Sequence, residues 1–212
     1  MSLESELAAL KSSAQAPEPL AVSELLAAEA RSRPLKAGDR APNFTLHAYE
    51  GVPVSSADCL NLGPLVVTFY RGLWCPYCQA DLRSFDEAFD RMRDLGASFL
   101  AVSRPRQPGS DIPADHNLYP RFPILEDDTG DVAVQFGIRW SLDDTQLIEE
   151  AFGLNTGTFR DAEPWINPMQ ARFVISRDGT IARSEIAFDY REKSGPADIM
   201  PILTELWHQP QL

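Results

Sequence analysis

Cysteine and histidine are both scarce in this chain, with three of each in 212 residues. Cys59, Cys75 and Cys78 are too few for the disulfide framework of a small secreted domain, and in a reducing compartment a close pair points to redox chemistry or metal. No run approaches the ~18 consecutive apolar residues that a membrane-spanning helix needs. Basic residues are outnumbered, 19 Lys and Arg against 31 Asp and Glu, so the net charge is −12 and the pI near 4.6. Such a charge repels phosphate backbones and anionic lipid headgroups, and no nucleic-acid or membrane partner is expected. The first ten residues carry Glu4 and Glu6 where a secretory signal carries positive charge, which predicts a cytoplasmic location. What is present is an ordinary globular composition, 44% hydrophobic and 24% charged with 17 Pro and 12 Gly. At ~150 residues per domain it predicts one domain with something appended.

Residues 1–35 are rich in Ala, Leu, Glu and Ser and broken by Pro17 and Pro19. Leu3, Leu7 and Leu10 at helical spacing, and Ser23 placed as an N-cap before Glu24, predict a two-helix extension. The domain itself is expected over residues 36–212. Ala41 to Leu46, a turn at Gly51 and Val52 to Val54 predict a short hairpin in front of the main fold. Leu65 to Tyr70, bounded by Gly63-Pro64 and Gly72, predicts a strand buried on both faces.

The period then switches. Cys75, Cys78, Leu82, Phe85, Phe89 and Met92 fall at steps of three and four, one stripe of a helix ended by Gly96. Ser98 to Ser103 is a second buried strand, and a strand, helix, strand unit with short connections implies a parallel pair. Asp128 to Phe136 carries a weak helix signal. Arg177-Asp178-Gly179 between two β-branched runs predicts an antiparallel hairpin. A last helix runs from about Pro196 to Trp207, with Pro201 kinking it or marking its start. The order β-α-β-α-β-β-α is that of the thioredoxin fold, an α/β class with a central mixed sheet flanked by helices. Residues 126–163 hold ten carboxylates against Arg139 and Arg160, and no pair there has catalytic spacing, which predicts a solvated insertion.

Chemistry concentrates at Cys75-Pro76-Tyr77-Cys78. A cysteine after a buried strand and at the first turn of a helix faces unpaired backbone N–H groups and the positive end of the helix dipole, which favour a thiolate. Cysteines so placed have pKa values of ~3.5 to 7.5. This predicts an exposed, attacking Cys75 and a more buried, resolving Cys78. A zinc half-site or inert core cysteines would use the same pair. Zinc needs four ligands, however, and His47, His116 and His208 are isolated from each other, so no metal is expected. Nor does any motif require a cofactor. Arg71, four residues before Cys75, has two readings: a guanidinium that stabilises a thiolate or binds a substrate oxygen, and a surface cation paired with a carboxylate. Cys59, alone beside Leu60 and Leu62, reads as a small buried hydrophobe.

Phe69 to Cys78 resembles the active-site segment of the peroxiredoxin-like branch of the alkyl hydroperoxide reductase and thiol-specific antioxidant (AhpC/TSA) family. Ala41 to Leu46 is similar to the family's opening, Ala101-Val102-Ser103 with Pro105 to its V-S-x-P, and Phe122 to Asp127 and Phe173 to Ile181 to further blocks. The likeness spans about residues 37 to 187. It implies a thioredoxin fold, an antioxidant oxidoreductase acting on a peroxide or a disulfide, a reducing thiol partner, and a homodimer formed beside the active site. Within it, Arg71 stands at the family's Pro, Cys75 at its peroxide-binding Thr and Cys78 at its peroxidatic Cys. The family's later Arg falls on Gln170, with Arg172 two residues on, and Pro168 lies near the place of a thioredoxin-type cis-proline. Alignment therefore names Cys78 as the nucleophile, whereas helix position names Cys75. We favour Cys75, because the Thr that would support Cys78 is itself replaced by Cys75. Thiol-disulfide exchange without peroxide turnover, or a non-catalytic binding module on the same scaffold, are the alternatives.

Overall fold

The computed structural model describes Ser5 and residues 33–73, 75–105, 120–138, 170–187 and 193–208. Its elements in chain order are β1 (Thr45–Ala48), β2 (Pro53–Ser55), α1 (Ser56–Leu62), β3 (Leu65–Phe69), α2 (Pro76–Glu87), α3 (Phe89–Asp94), β4 (Ser98–Ser103), β5 (Ile124–Glu126), α4 (Asp131–Gln135), β6 (Gln170–Ile175), β7 (Ile181–Ala187) and α5 (Pro196–His208). The strands make one seven-stranded mixed sheet in the order β2-β1-β5-β4-β3-β6-β7. The expected parallel pair is β3 with β4, and β5 extends it in parallel. β6 adds antiparallel to β3 on the other side. The expected hairpins are β1-β2 and β6-β7, the second turning at Gly179 with φ +85, a value glycine adopts without a Cβ clash.

Every residue of β3 is buried, and alternation sends successive side chains to opposite faces. Leu65, Val67 and Phe69 join Leu100, Val102, Phe136 and Phe173 in one core. Val66 and Tyr70 join Phe99, Ala101 and Val174 in the other, against Cys78, Leu82, Phe85 and Met92 from α2 and α3 and Ile199 and Leu203 from α5. Thr68 points to this second face, opposite Arg172 in the β3-β6 register. The apolar stripe seen in the sequence from Cys75 to Met92 thus runs along α2 and α3 on that face.

The single helix expected from Cys75 to Gly96 is two helices, broken at Ala88. Neither Pro nor Gly sits at the break. Instead Arg121 donates to the Asp86 carbonyl and to its carboxylate, and pairs with Asp90 at 2.8 Å. The Ala88 N–H still donates to the Ser84 carbonyl at 3.3 Å, so the helical ladder of α2 runs up to the break. Helix α1 and strand β5 were not expected. The first has its signal in Ser55, whose hydroxyl accepts from the Asp58 N–H at 3.3 Å, but its apolar run is too short to show a period. The second is three residues long. The weak helix signal after Asp128 is α4, with the buried Asp127 carboxylate accepting from the Ala133 N–H at 2.9 Å. The last helix begins at Pro196 and continues through Pro201. The two-helix extension over residues 1–35 and most of the acidic 126–163 segment lie outside the described residues.

Candidate active site

β3 delivers the chain to the front edge of the sheet. Tyr70 still bonds to β4, its N–H donating to the Val102 carbonyl at 3.0 Å. Gly72 then turns the backbone with φ +143, in the region that favours glycine. The Cys75 N–H donates back to the Gly72 carbonyl at 3.2 Å, and Gln79 Nε2 donates to the Leu73 carbonyl at 2.5 Å, which ties the loop to the helix it feeds. Cys75 is the N-cap of α2 and Pro76 the first helical residue, where a missing N–H and a preset φ cost nothing. The motif therefore sits at the positive end of a twelve-residue helix.

Cys75 is 2% exposed and Cys78 is 0% exposed. The expected exposed Cys75 is thus corrected: both cysteines belong to the buried cluster that also holds Leu73, Tyr77 and Phe122. Their acidities are nonetheless split. The Cys75 thiol is lowered to about 6, first because the Cys78 S–H donates to its sulfur. Burial opposes this, while the Arg71 guanidinium, the Cys78 backbone N–H and the Lys193 ammonium lower it further. Cys78 is pushed well above the ordinary thiol range, chiefly by burial, then by the bond it donates to Cys75 and by the Cys75 charge. One sulfur is placed to be a thiolate and the other to be its donor. Gln170, the first residue of β6, donates from Nε2 to Cys78 Sγ.

One turn beyond Cys78, Asp81 is buried under the motif. Arg172 Nη2 donates to its two carboxylate oxygens at 2.8 and 2.7 Å, and Lys193 Nζ lies 3.5 Å from Oδ2. Arg172 also packs over the Phe85 ring, 4.1 Å from its centroid, and donates to Thr68 and to Ser194. A buried cation stacked on an aromatic face and paired to a carboxylate is held rigidly.

Cys75 and Cys78 lie together, with Arg71 half-buried nearby and its charge felt at Cys75. Gln170 joins them. Arg172 does not reach the sulfurs and pairs with Asp81 instead. Asp81 and Lys193 were missed: Asp81 reads in the sequence as one more charge on the polar face of α2, and Lys193 has no local signal. Cys59 is on α1 against the core of the opposite sheet face, half-buried, its thiol raised by burial. Among the described residues no group of three or more His, Cys, Asp or Glu is placed to hold a metal ion. No helix among them is long and apolar enough to cross a membrane. Trp74, His116 and Pro168 lie outside the described residues.

Several known proteins are similar to this chain. Peroxiredoxin Bcp of Escherichia coli is 30% identical over 105 residues, which are 50% of this chain and 66% of that protein, so the match spans just under two thirds of the relative's length. Among solved structures, peroxidoxin BcpB of Mycobacterium tuberculosis superposes with a TM-score of 0.57 at 22% identity, covering 81% of this chain and 96% of that one. A peroxiredoxin-like protein from Aquifex aeolicus gives 0.56 at 17% identity over 82% and 89%. These likenesses carry the fold, which is thioredoxin-like. Residues 37–184 match the AhpC/TSA family, and with that stretch covering well over half of the sequence, the chain belongs to the AhpC/TSA family.

Proposed function

We propose that the protein is a dithiol oxidoreductase that reduces peroxides or disulfides, with Cys75 as the attacking thiolate and Cys78 as the resolving thiol. The observation that carries this reading is the split acidity of the pair: a Cys75 thiol lowered to about 6 and a Cys78 thiol raised and donating to it. A thiolate is the nucleophile in both reactions, so the group that is ionised near neutrality is the one that attacks.

With a hydroperoxide, the Cys75 sulfur bonds to one peroxide oxygen and the O–O bond breaks. The leaving alkoxide or hydroxide takes a proton, and Cys75 is left as a sulfenic acid. The Cys78 sulfur then bonds to Cys75, its proton leaves with the sulfenic hydroxyl as water, and the disulfide is closed. With a disulfide substrate, Cys75 forms the mixed disulfide and Cys78 expels the second substrate thiol. Two equivalents of an external thiol return the pair to the reduced state. Arg71 lowers the Cys75 thiol through its charge, and a guanidinium in that role can also bind a substrate oxygen. The Cys residue at 75, in place of the family's peroxide-binding Thr, favours disulfide exchange as the second reading.

The test is a side-by-side measurement of Cys75 oxidation rates with hydrogen peroxide, an organic hydroperoxide and a small disulfide. Faster reaction with either peroxide than with the disulfide supports the peroxidase. The reverse order assigns the protein to thiol-disulfide exchange. No reaction at either cysteine at neutral pH overturns both.

A further inference from the structure

The enclosed Cys78 sulfur poses a problem for the return half of the cycle. Opening a Cys75–Cys78 disulfide at Cys75 sends an electron pair to Cys78, creating an anion at a site with no solvent exposure. Enclosure works against that anion, as it does against ionisation of the reduced thiol. The Lys193 ammonium and the Arg71 backbone N–H already favour the anion, and a side-chain donor directed at the sulfur would add to them as the charge forms. The Gln170 amide is placed to do so. Its Nε2 donates to Cys78 Sγ, its residue is 5% exposed, and its Oε1 has no hydrogen-bond partner. A buried side-chain amide with an unpartnered oxygen is costly, so structure alone gives little reason to have one here. Strand β6 fixes its direction. Gln170 pairs with Ala187 across the β6-β7 ladder and points to the same sheet face as Arg172, which the Asp81 pair locks against α2.

Resting on the dithiol reading above, we propose that Gln170 is a catalytic residue of the reductive half-reaction, donating to the Cys78 sulfur as that sulfur leaves the disulfide. An external monothiol ionises and its sulfur bonds to Cys75 Sγ. The Cys75–Cys78 bond breaks with its electron pair going to Cys78, whose developing charge the Gln170 N–H stabilises. The proton released by the monothiol is then taken up by Cys78. A second monothiol attacks the mixed disulfide at the external sulfur and leaves as the symmetric disulfide, returning Cys75 as a thiolate. Being neutral, the amide supports the charge without holding Cys78 ionised, so the thiol can recover the proton it donates to Cys75.

The experiment compares two half-reactions in the wild type, Gln170→Met and Gln170→Glu. Methionine keeps the length of the side chain and removes the donor. Glutamate keeps the shape and replaces the donor with a carboxyl, serving if the methionine variant does not fold. Opening of the oxidised protein by 2-mercaptoethanol and oxidation of the reduced protein by hydrogen peroxide are both timed by acid quench, alkylation and mass. Loss of a hydrogen bond to a charged group predicts that opening slows by about tenfold or more, and by a larger factor than Cys75 oxidation. Opening at the wild-type rate, or equal slowing of both half-reactions as a merely structural role would give, overturns the assignment of Gln170. A wild-type protein that forms no Cys75–Cys78 disulfide overturns the dithiol reading and this inference together.

Discussion

Asp81 on α2 and Arg172 on β6 form a buried pair in which one guanidinium nitrogen serves both carboxylate oxygens, at 2.8 and 2.7 Å. The pair joins the helix that carries Cys78 to the strand that carries Gln170. Lys193 adds a second cation to the same carboxylate. Removing the carboxylate leaves two buried cations without it, and breaking a buried pair from one side costs ~3–5 kcal/mol. Asp81→Ala is expected to lower the urea midpoint accordingly, with an unchanged slope if the native state stays compact. A midpoint within error of the wild type would show that the pair does not hold the helix to the sheet.

The acidity of Cys75 sets the pH dependence of its reactivity. Its thiol is lowered to about 6, so the thiolate fraction rises with pH through that value and is nearly complete at neutrality. Alkylation by iodoacetamide should therefore climb to a plateau by about pH 7, instead of climbing through the ~8.5 of a free cysteine. Because the bond from the Cys78 S–H is the first cause of the lowering, Cys78→Ala should move the midpoint upward. A profile unchanged by that substitution would assign the lowering to Arg71, Lys193 and the helix end instead.

Mild oxidant should yield an intramolecular Cys75–Cys78 disulfide with Cys59 still free. Cys59 packs on the opposite face of the sheet from the other two, and a disulfide needs Cα atoms ~4.4–6.8 Å apart. Peptide mapping under non-reducing conditions reads this directly. A dominant crosslink through Cys59, or between chains, would sink the proposed roles.

Serine variants separate the two sulfurs. Cys78→Ser should accumulate a sulfenic acid or mixed disulfide at Cys75, because nothing closes it, while Cys75→Ser should lose reactivity by about tenfold or more through loss of the low-pKa thiol. Intact-mass analysis after peroxide treatment distinguishes them. Fast peroxide reaction at Cys78 in Cys75→Ser would reverse the order of attack.

Local patterns in the chain are enough to place the strand, helix, strand unit, the Asp178-Gly179 hairpin and the cysteine pair at a helix start. Each is written in residues no more than a few positions apart: an unbroken apolar run at Leu65, an i, i+3, i+4 stripe from Cys78, a two-residue turn. Folding alone decides what lies around the pair. Asp81 and Arg172 are 91 residues apart in sequence, and Gln170 and Cys78 are 92 apart. Periodicity along a single segment carries no information about such partners, since the charge of Asp81 reads the same whether water or a guanidinium answers it. The break at Ala88 likewise belongs to Arg121, from a loop more than thirty residues on. The depth of Cys75 has the same origin. An N-cap position predicts free N–H groups and a favoured thiolate, but the buried cluster that Cys75 joins, with Leu73, Tyr77 and Phe122, is assembled by the sheet and helices packing together.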